Sequence, residues 1–431
     1  MNMKIRRLAK ILGVDLQSGL VGIKAYMQLR SKYISKFHKI DRQKFQSPSI
    51  DPSTHTQRNV NQNVKEFSVY QRADFTPVLL ETSFNNIFKE IGGGKPRTLF
   101  FNSGMSVIAT LMFYLKNTKK TKSLLMGENV YFETKWLAKN YPNVYFFNEY
   151  NNFTIPKKIE TFWIEYPINC TQPSKYPFDQ DLDIKKVLKM IIKHATLNKN
   201  KTISLVIDYT LYYLSNDLIG SITKLPNNLN IYLVTSLQKH RGYGLDLTNG
   251  GAVTIYGNNI DYDELEKLRT ITGANITQET VWTMPIIKSG LINKIILDSS
   301  NNANKIFNEI SKHRFNGINF YYSDNKNFKT SFIFIKIDKS ILELSIKFPF
   351  FSDLLIGKII KSAEKNNAIM STATSFGLPF TRIFKNSERY DNTNSLRIAV
   401  GYDEDMCRNV SKAIIEGTYE FLRSISPLVS K

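Results

Sequence analysis

From Arg97 to Lys239 short apolar runs alternate with segments whose apolar residues recur at helical spacing. The runs RTLFF (97–101), SLLMGE (123–128), VYFFNE (144–149), ETFWIEYP (160–167), SLVIDYTLYY (204–213) and NIYLVTSLQK (230–239) predict strands. Between them, the spacing predicts helices over Met105–Leu115, 131–140 and Asp181–Ala195. A helix over Phe75–Glu90 precedes the series and ends at the glycines before Lys95; GxxxxGK[ST] is not matched and Pro96 follows, so this is a helix-ending turn and not a phosphate loop. Strands without polar alternation, separated by helices, predict an α/β domain over 64–283 with a large, mostly parallel sheet flanked by helices. Beyond Thr283 the pattern predicts a long helix Met284–Phe315, then strands near Asn319–Tyr322 and Phe332–Ile337. A helix Phe351–Asn366, strands Ile369–Ser375 and Ser395–Val400, and a last helix Asp403–Ile425 complete a smaller C-terminal α+β domain over 284–431.

The first 63 residues follow a different pattern. One amphipathic helix is expected over Leu16–Tyr33, followed by a Ser/Pro/Thr/Gln/Asn-rich linker from Gln46 to Asn63. Residues 1–48 hold eleven Lys and Arg against Asp15 and Asp41, part of a net charge of +21. Because Lys, Asn and Ile are frequent throughout the chain, the excess reads as a solvated basic arm, and no nucleic-acid partner is expected. No apolar run is long enough to span a bilayer, so no membrane partner is expected. Two distant cysteines, Cys170 and Cys407, suggest a reducing compartment and a cytoplasmic protein, and the five histidines show no metal-ligand spacing.

In parallel sheets ligands bind beyond the C-terminal ends of the strands. Ser103, Glu165, Asp208, Ser236 and Lys239 all fall at such ends. A lysine there that holds an aldehyde cofactor as a Schiff base needs burial and groups for the rest of the cofactor, and pyridoxal 5'-phosphate fits the set. Asp208 would pair with the pyridine nitrogen and make the ring an electron sink. The turn Ser103–Gly104 leads into a helix whose N–H groups at Gly104 and Met105 would take the phosphate with the Ser236 hydroxyl. Tyr131 would stack on the ring, and Arg397 would grip a substrate carboxylate.

The order and spacing of these residues resemble fold-type I pyridoxal-phosphate enzymes, and within them the cysteine/methionine-metabolism family of cystathionine γ-synthases, cystathionine lyases and methionine γ-lyases. YQRADFTPVLLE (Tyr70, Arg72, Glu81) resembles the start of that family's core, SGMSVI at Ser103–Ile108 its phosphate turn, and YFET at Tyr131–Thr134 its YGGT. EYPINC (Glu165–Cys170), Asp208 in VIDYT, SLQK (Ser236–Lys239), SFGL (Ser375–Leu378) and RIAVG (Arg397–Gly401) resemble its ExPxNP, strand-end Asp, SxTK, SLGG and RLSVG. The resemblance implies that Lys239 carries the cofactor and moves protons, and that Tyr70 and Arg72 reach the phosphate of a neighbouring subunit in a homodimer or homotetramer with shared sites. It also implies Asn169 near the cofactor's phenolic oxygen, and Ser375 with Arg397 near the substrate carboxylate. Gln238, His240 and Arg241 around the lysine, Phe132 and Glu133 after the tyrosine, and Phe380 after SFGL depart from the family's pattern.

The expected function is Cα deprotonation of an amino acid by Lys239, followed by β- or γ-elimination or replacement, with Tyr131 as acid or base for the leaving group. Transamination, or other Cα-bond chemistry on the same fold, shares this machinery. A cofactor-binding regulator or scaffold that uses the basic arm is the alternative of another class.

Overall fold

The apolar runs of the central chain pair into one seven-stranded sheet in the computed structural model, with strand order β1-β7-β6-β5-β4-β2-β3. The structure describes residues 3–38, 77–88, 90, 94–127, 130–147, 155–166, 184–211, 225–247, 249–258, 260–277, 280, 281, 284, 289–325, 328–338, 341, 351–385 and 395–429. Strands β1 (Arg97–Phe101), β2 (Ser123–Gly127), β3 (Asn143–Phe147), β4 (Thr161–Glu165), β5 (Ile203–Asp208) and β6 (Leu229–Ser236) lie where the apolar runs predict them. β2 through β6 pair in parallel, and β7 (Gly251–Tyr256) runs antiparallel between β6 and β1. Every residue of β2, β4 and β5 is buried, as parallel strands covered on both faces require, and the antiparallel β7 is buried throughout as well. Alternate side chains feed two cores: Phe162, Ile164, Leu205 and Ile207 on one face, Trp163, Val206, Val234 and Val253 on the other.

The strand β7 and the helix after it lie outside the sequence expectation. β7 begins in the glycine pair after the lysine loop, where Gly251 weakens any strand signal. Its own packing demands the glycine: a Cβ at 251 would lie 2.4 Å from the carbonyl oxygen of Ser103. The helix Tyr262–Ile271 follows, capped by Asp261, whose carboxylate accepts the Glu264 N–H at 3.0 Å. Arg269 of this helix is 1% exposed and donates to the Phe100 carbonyl at 3.1 Å, to Glu266 at 2.9 Å and to Glu81 at 3.3 Å. Glu81 therefore ties its helix to β1, and burial outweighs Arg269 in holding its carboxyl above the usual range.

Among the described residues the chain divides into two compact units: Ser31–Asn169 with Leu182–Ser289, which holds the seven-stranded sheet, and Met1–Arg30 with Gly290–Lys431. The second unit is built on five strands in the order β10-β11-β12-β9-β8. They are β8 (Ile318–Asn325), β9 (Phe328–Ile337), β10 (Met370–Thr372), β11 (Thr381–Lys385) and β12 (Ser395–Ala399). Ile333, Ile335, Ile383 and Ile398 pack there with Leu355 and Ile359 of the helix Phe351–Lys365 and Ile414 and Phe421 of the helix Val410–Val429.

The N-terminal segment corrects the reading of a solvated basic arm. Met3–Leu12 forms a helix that the sequence reading left unassigned, and a second helix runs Gly22–His38 where Leu16–Tyr33 was expected. Ile5, Leu8, Ala9 and Leu12 are all buried, at the i, i+3, i+4, i+7 spacing of one helix face. The charges occupy the other face, where Lys4 Nζ lies 3.0 Å from Asp298 and donates to the Tyr402 carbonyl at 3.0 Å. Tyr26 meets Phe380 edge to face at 5.7 Å between ring centroids. No helix among the described residues is long and apolar enough to cross a membrane.

Candidate active site

Three adjacent chain reversals at one edge of the seven-stranded sheet bring the site together. β1 ends at Phe101, and Ser103 caps the helix Gly104–Phe113 in a reciprocal box: its hydroxyl accepts the Ser106 N–H at 3.0 Å, and Ser106 Oγ accepts the Ser103 N–H at 3.0 Å. Ser103 is thus occupied as a cap, a use the phosphate-turn reading did not include. The N–H groups of Gly104 and Met105 open that helix, where the first-turn donors have no partners within the helix. A Cβ on Gly104 would lie 3.1 Å from Ser236 Cβ, so the helix start lies close against the end of β6. Helix start and serine hydroxyl therefore form a cradle that suits a phosphate.

Asp208 ends β5 beside β6 and opposite Glu165 of β4. Its Oδ1 accepts the Thr210 N–H at 3.0 Å, and Thr210 Oγ1 accepts the Ser236 N–H at 2.9 Å. Thr210 thereby fixes both strand ends. The sequence holds no particular signal for Thr210, because an aspartate side chain closes such a turn on the backbone N–H two residues on whatever residue stands there. Asp208 is 6% exposed; burial pushes its carboxyl pKa up, against the Thr210 hydrogen bonds and the positive charge of Arg241. Glu165, 5% exposed, accepts the Tyr131 N–H through Oε2 and so fixes the residue at the start of the helix Phe132–Ala138. The Tyr131 and Phe132 rings touch, with centroids 4.8 Å apart.

Lys239 is half-buried and leads into a single turn of 3-10 helix, His240–Gly242. The turn is folded by left-handed Tyr243 and by Gln238, whose amide donates to Asp246 at 3.0 Å. Gln238, which departs from the family's threonine, thus braces the lysine loop. His240 and Arg241, which read as unusual neighbours, are both buried, 1% and 2% exposed. The Arg241 guanidinium lies 4.5 Å above the ring of Tyr209, the residue after Asp208.

Ser375 and Arg397 belong to the other unit, where both are buried. Arg397, on β12, donates to the Thr374 carbonyl at 2.6 Å and lies over the rings of Phe332 and Phe376 at 4.9 and 5.7 Å. Arginine and serine thus share one small region, and Tyr402, the residue after RIAVG, donates its N–H to the carbonyl of Leu378 in SFGL at 3.1 Å. Phe380, noted as a departure, is 9% exposed and lies between Tyr26 and the Arg382 guanidinium, 5.5 Å from its ring. Tyr70, Arg72 and Asn169 lie outside the described residues.

The first unit therefore combines an amine, a buried carboxylate and an anion-accepting helix start at one sheet edge. This donor set fits a cofactor with an aldehyde, a basic ring nitrogen and a phosphate. The fold is of the fold-type I α/β class. A crystal structure from Campylobacter jejuni, described as an O-acetylhomoserine (thiol)-lyase and carrying N'-pyridoxyl-lysine-5'-monophosphate, is similar at a TM-score of 0.53 and 15% identity; the match covers 86% of this chain and 92% of that one. No protein-family model matches the sequence. No curated protein matches it either.

Proposed function

We propose that the protein is a pyridoxal-phosphate-dependent enzyme acting on an amino acid, of the cysteine/methionine-metabolism type, which removes the Cα proton and then eliminates or replaces a β- or γ-substituent. The observation that carries this reading is the meeting of Ser236, the helix start at Gly104 and the Thr210-braced Asp208 around the strand ends that precede Lys239. When bound, the cofactor supplies an electron sink for a carbanion at Cα. Lys239 would hold the cofactor covalently and move the proton at Cα. The Gly104 and Met105 N–H groups and the Ser236 hydroxyl would hold the phosphate, and Asp208 would hold a proton at the ring nitrogen. Tyr131 would serve the leaving group, and Ser375 and Arg397 a carboxylate of the substrate. Tyr70 and Arg72 would act on a neighbouring subunit's phosphate in a homodimer or homotetramer, and Asn169 beside the cofactor ring.

Borohydride treatment of protein loaded with pyridoxal phosphate should fix the cofactor on Lys239, identified by peptide mass. A colourless protein that gains no visible absorption with added cofactor, or label elsewhere than Lys239, would overturn the proposal. With a panel of amino acids, release of a keto acid with ammonia marks elimination, whereas stoichiometric conversion to the amine form of the cofactor marks transamination.

A further inference from the structure

Arg241 is among the most deeply buried charged groups of the protein and has no role in the mechanism above. It is 2% exposed, and its Nη1 has no hydrogen-bond partner among the described residues. An unpaired guanidinium nitrogen in such a place carries a substantial desolvation penalty, so some other group must offset it. The stack on Tyr209 supplies part of the compensation. It also fixes the guanidinium beside the end of β5, two residues along the chain from Lys239, with the charge felt at the Asp208 carboxylate.

We propose that Arg241 is a positioning residue that acts on the bound cofactor through Asp208: its fixed positive charge keeps the buried Asp208 ionised, so that Asp208 can hold a proton on the cofactor's ring nitrogen. This rests on the functional reading above and adds to it the reason a carboxylate can stay charged there. Burial alone pushes Asp208 toward its neutral acid, which could not hold that proton as a counter-ion. The Thr210 hydrogen bonds oppose burial from the same turn, and Arg241 is the cation that opposes it from the lysine loop. Glu165 sits across the strand pair from Asp208, Lys239 and His240 precede Arg241 in the loop, Tyr243 and Asp246 follow it, and Tyr209 lies under its guanidinium. His240 is held neutral by burial and by the charges of Arg241 and Lys239, which leaves Arg241 as the buried fixed charge of the loop.

The test compares Arg241→Leu, which removes the charge, with Arg241→Lys, which keeps it, in two settings. In cofactor-free protein, Asp208→Asn should stabilise the Arg241→Leu background more than it stabilises the wild type, because that background lacks the cation that offsets the buried carboxylate. In protein loaded with 15N-labelled pyridoxal phosphate, Arg241→Leu should shift the ring-nitrogen resonance toward the unprotonated form and weaken cofactor affinity by about tenfold or more, with Arg241→Lys restoring both. A protonated ring nitrogen with unchanged affinity in Arg241→Leu, or no coupling with Asp208→Asn in the cofactor-free protein, overturns the inference. Coupling without any cofactor uptake by the wild type overturns the functional reading and leaves the Arg241–Asp208 pairing standing. If Arg241→Leu does not fold, Arg241→Lys still decides: a ring-nitrogen signal and affinity unlike the wild type's would show that something other than the charge matters.

Discussion

His240 enters the protein with both ring nitrogens buried, between the cations Lys239 and Arg241. Burial, then Arg241, then Lys239 push its pKa down to about 3. The unfolded chain protonates a histidine below about pH 6.5, whereas the folded protein keeps His240 neutral well below that. The stability this neutrality provides is fully present above about pH 6.5 and is lost as the pH falls toward the folded value. In that window the loss should run at about 1.4 kcal/mol per pH unit, one proton taken up on unfolding. Asp208 and Glu81, with raised pKa values, contribute with the opposite sign, losing stability as pH rises, and they cancel when wild type and His240→Asn are subtracted. Urea unfolding of the two proteins at several pH values below about 6.5 measures the difference, and equal slopes would show that His240 is charged in the folded state. The sequence announced an odd residue at 240 but not its burial. Nothing local marks it, because the turn that hides it depends on Gln238 reaching Asp246 and on a left-handed Tyr243.

At the scale of elements, the N-terminal helix tests how far charge can mislead. Its basic residues dominate the composition, yet Ile5, Leu8, Ala9 and Leu12 draw one apolar face, and that face is buried. The pattern was legible in the sequence, and the charge run obscured it. Leu8→Ala should therefore destabilise the protein by about 2–5 kcal/mol, the cost of a core leucine, where a solvated arm would show almost nothing. Thermal unfolding reads this directly, and a change under about 0.5 kcal/mol would return the helix to the surface. β7 failed to show for the opposite reason. Its glycine answers to the Ser103 carbonyl of another turn, a long-range demand that no window of sequence contains. The parallel strands β2, β4, β5 and β6, by contrast, were plain, because strands buried on both faces must be written as unbroken apolar runs.

For the whole molecule, that same logic made the site half legible. Residues at the C-terminal ends of parallel strands share an edge whatever their spacing, so Asp208, Ser236 and the turn at Ser103 could be placed together before any coordinates. Thr210 and Arg241 could not, since their positions follow from turns and stacking. The two units carry separate cores, one around β4 to β6 and another around β9, β11 and β12. Two such units should give separate melting transitions, and Lys239, Asp208, Ser236 and the helix start at Gly104 all lie in one of them. Added pyridoxal phosphate should therefore raise the transition of the unit that contains Lys239, by about 2.7 kcal/mol of stability at a hundredfold excess over Kd. Differential scanning calorimetry separates the transitions, and proteolysis during the scan assigns them. Lys239→Ala should remove most of the shift, because the covalent anchor goes while the cradle at Gly104 and Ser236 remains. An equal shift in Lys239→Ala, or one confined to the transition of the β8 to β12 unit, would place the cofactor somewhere other than this sheet edge.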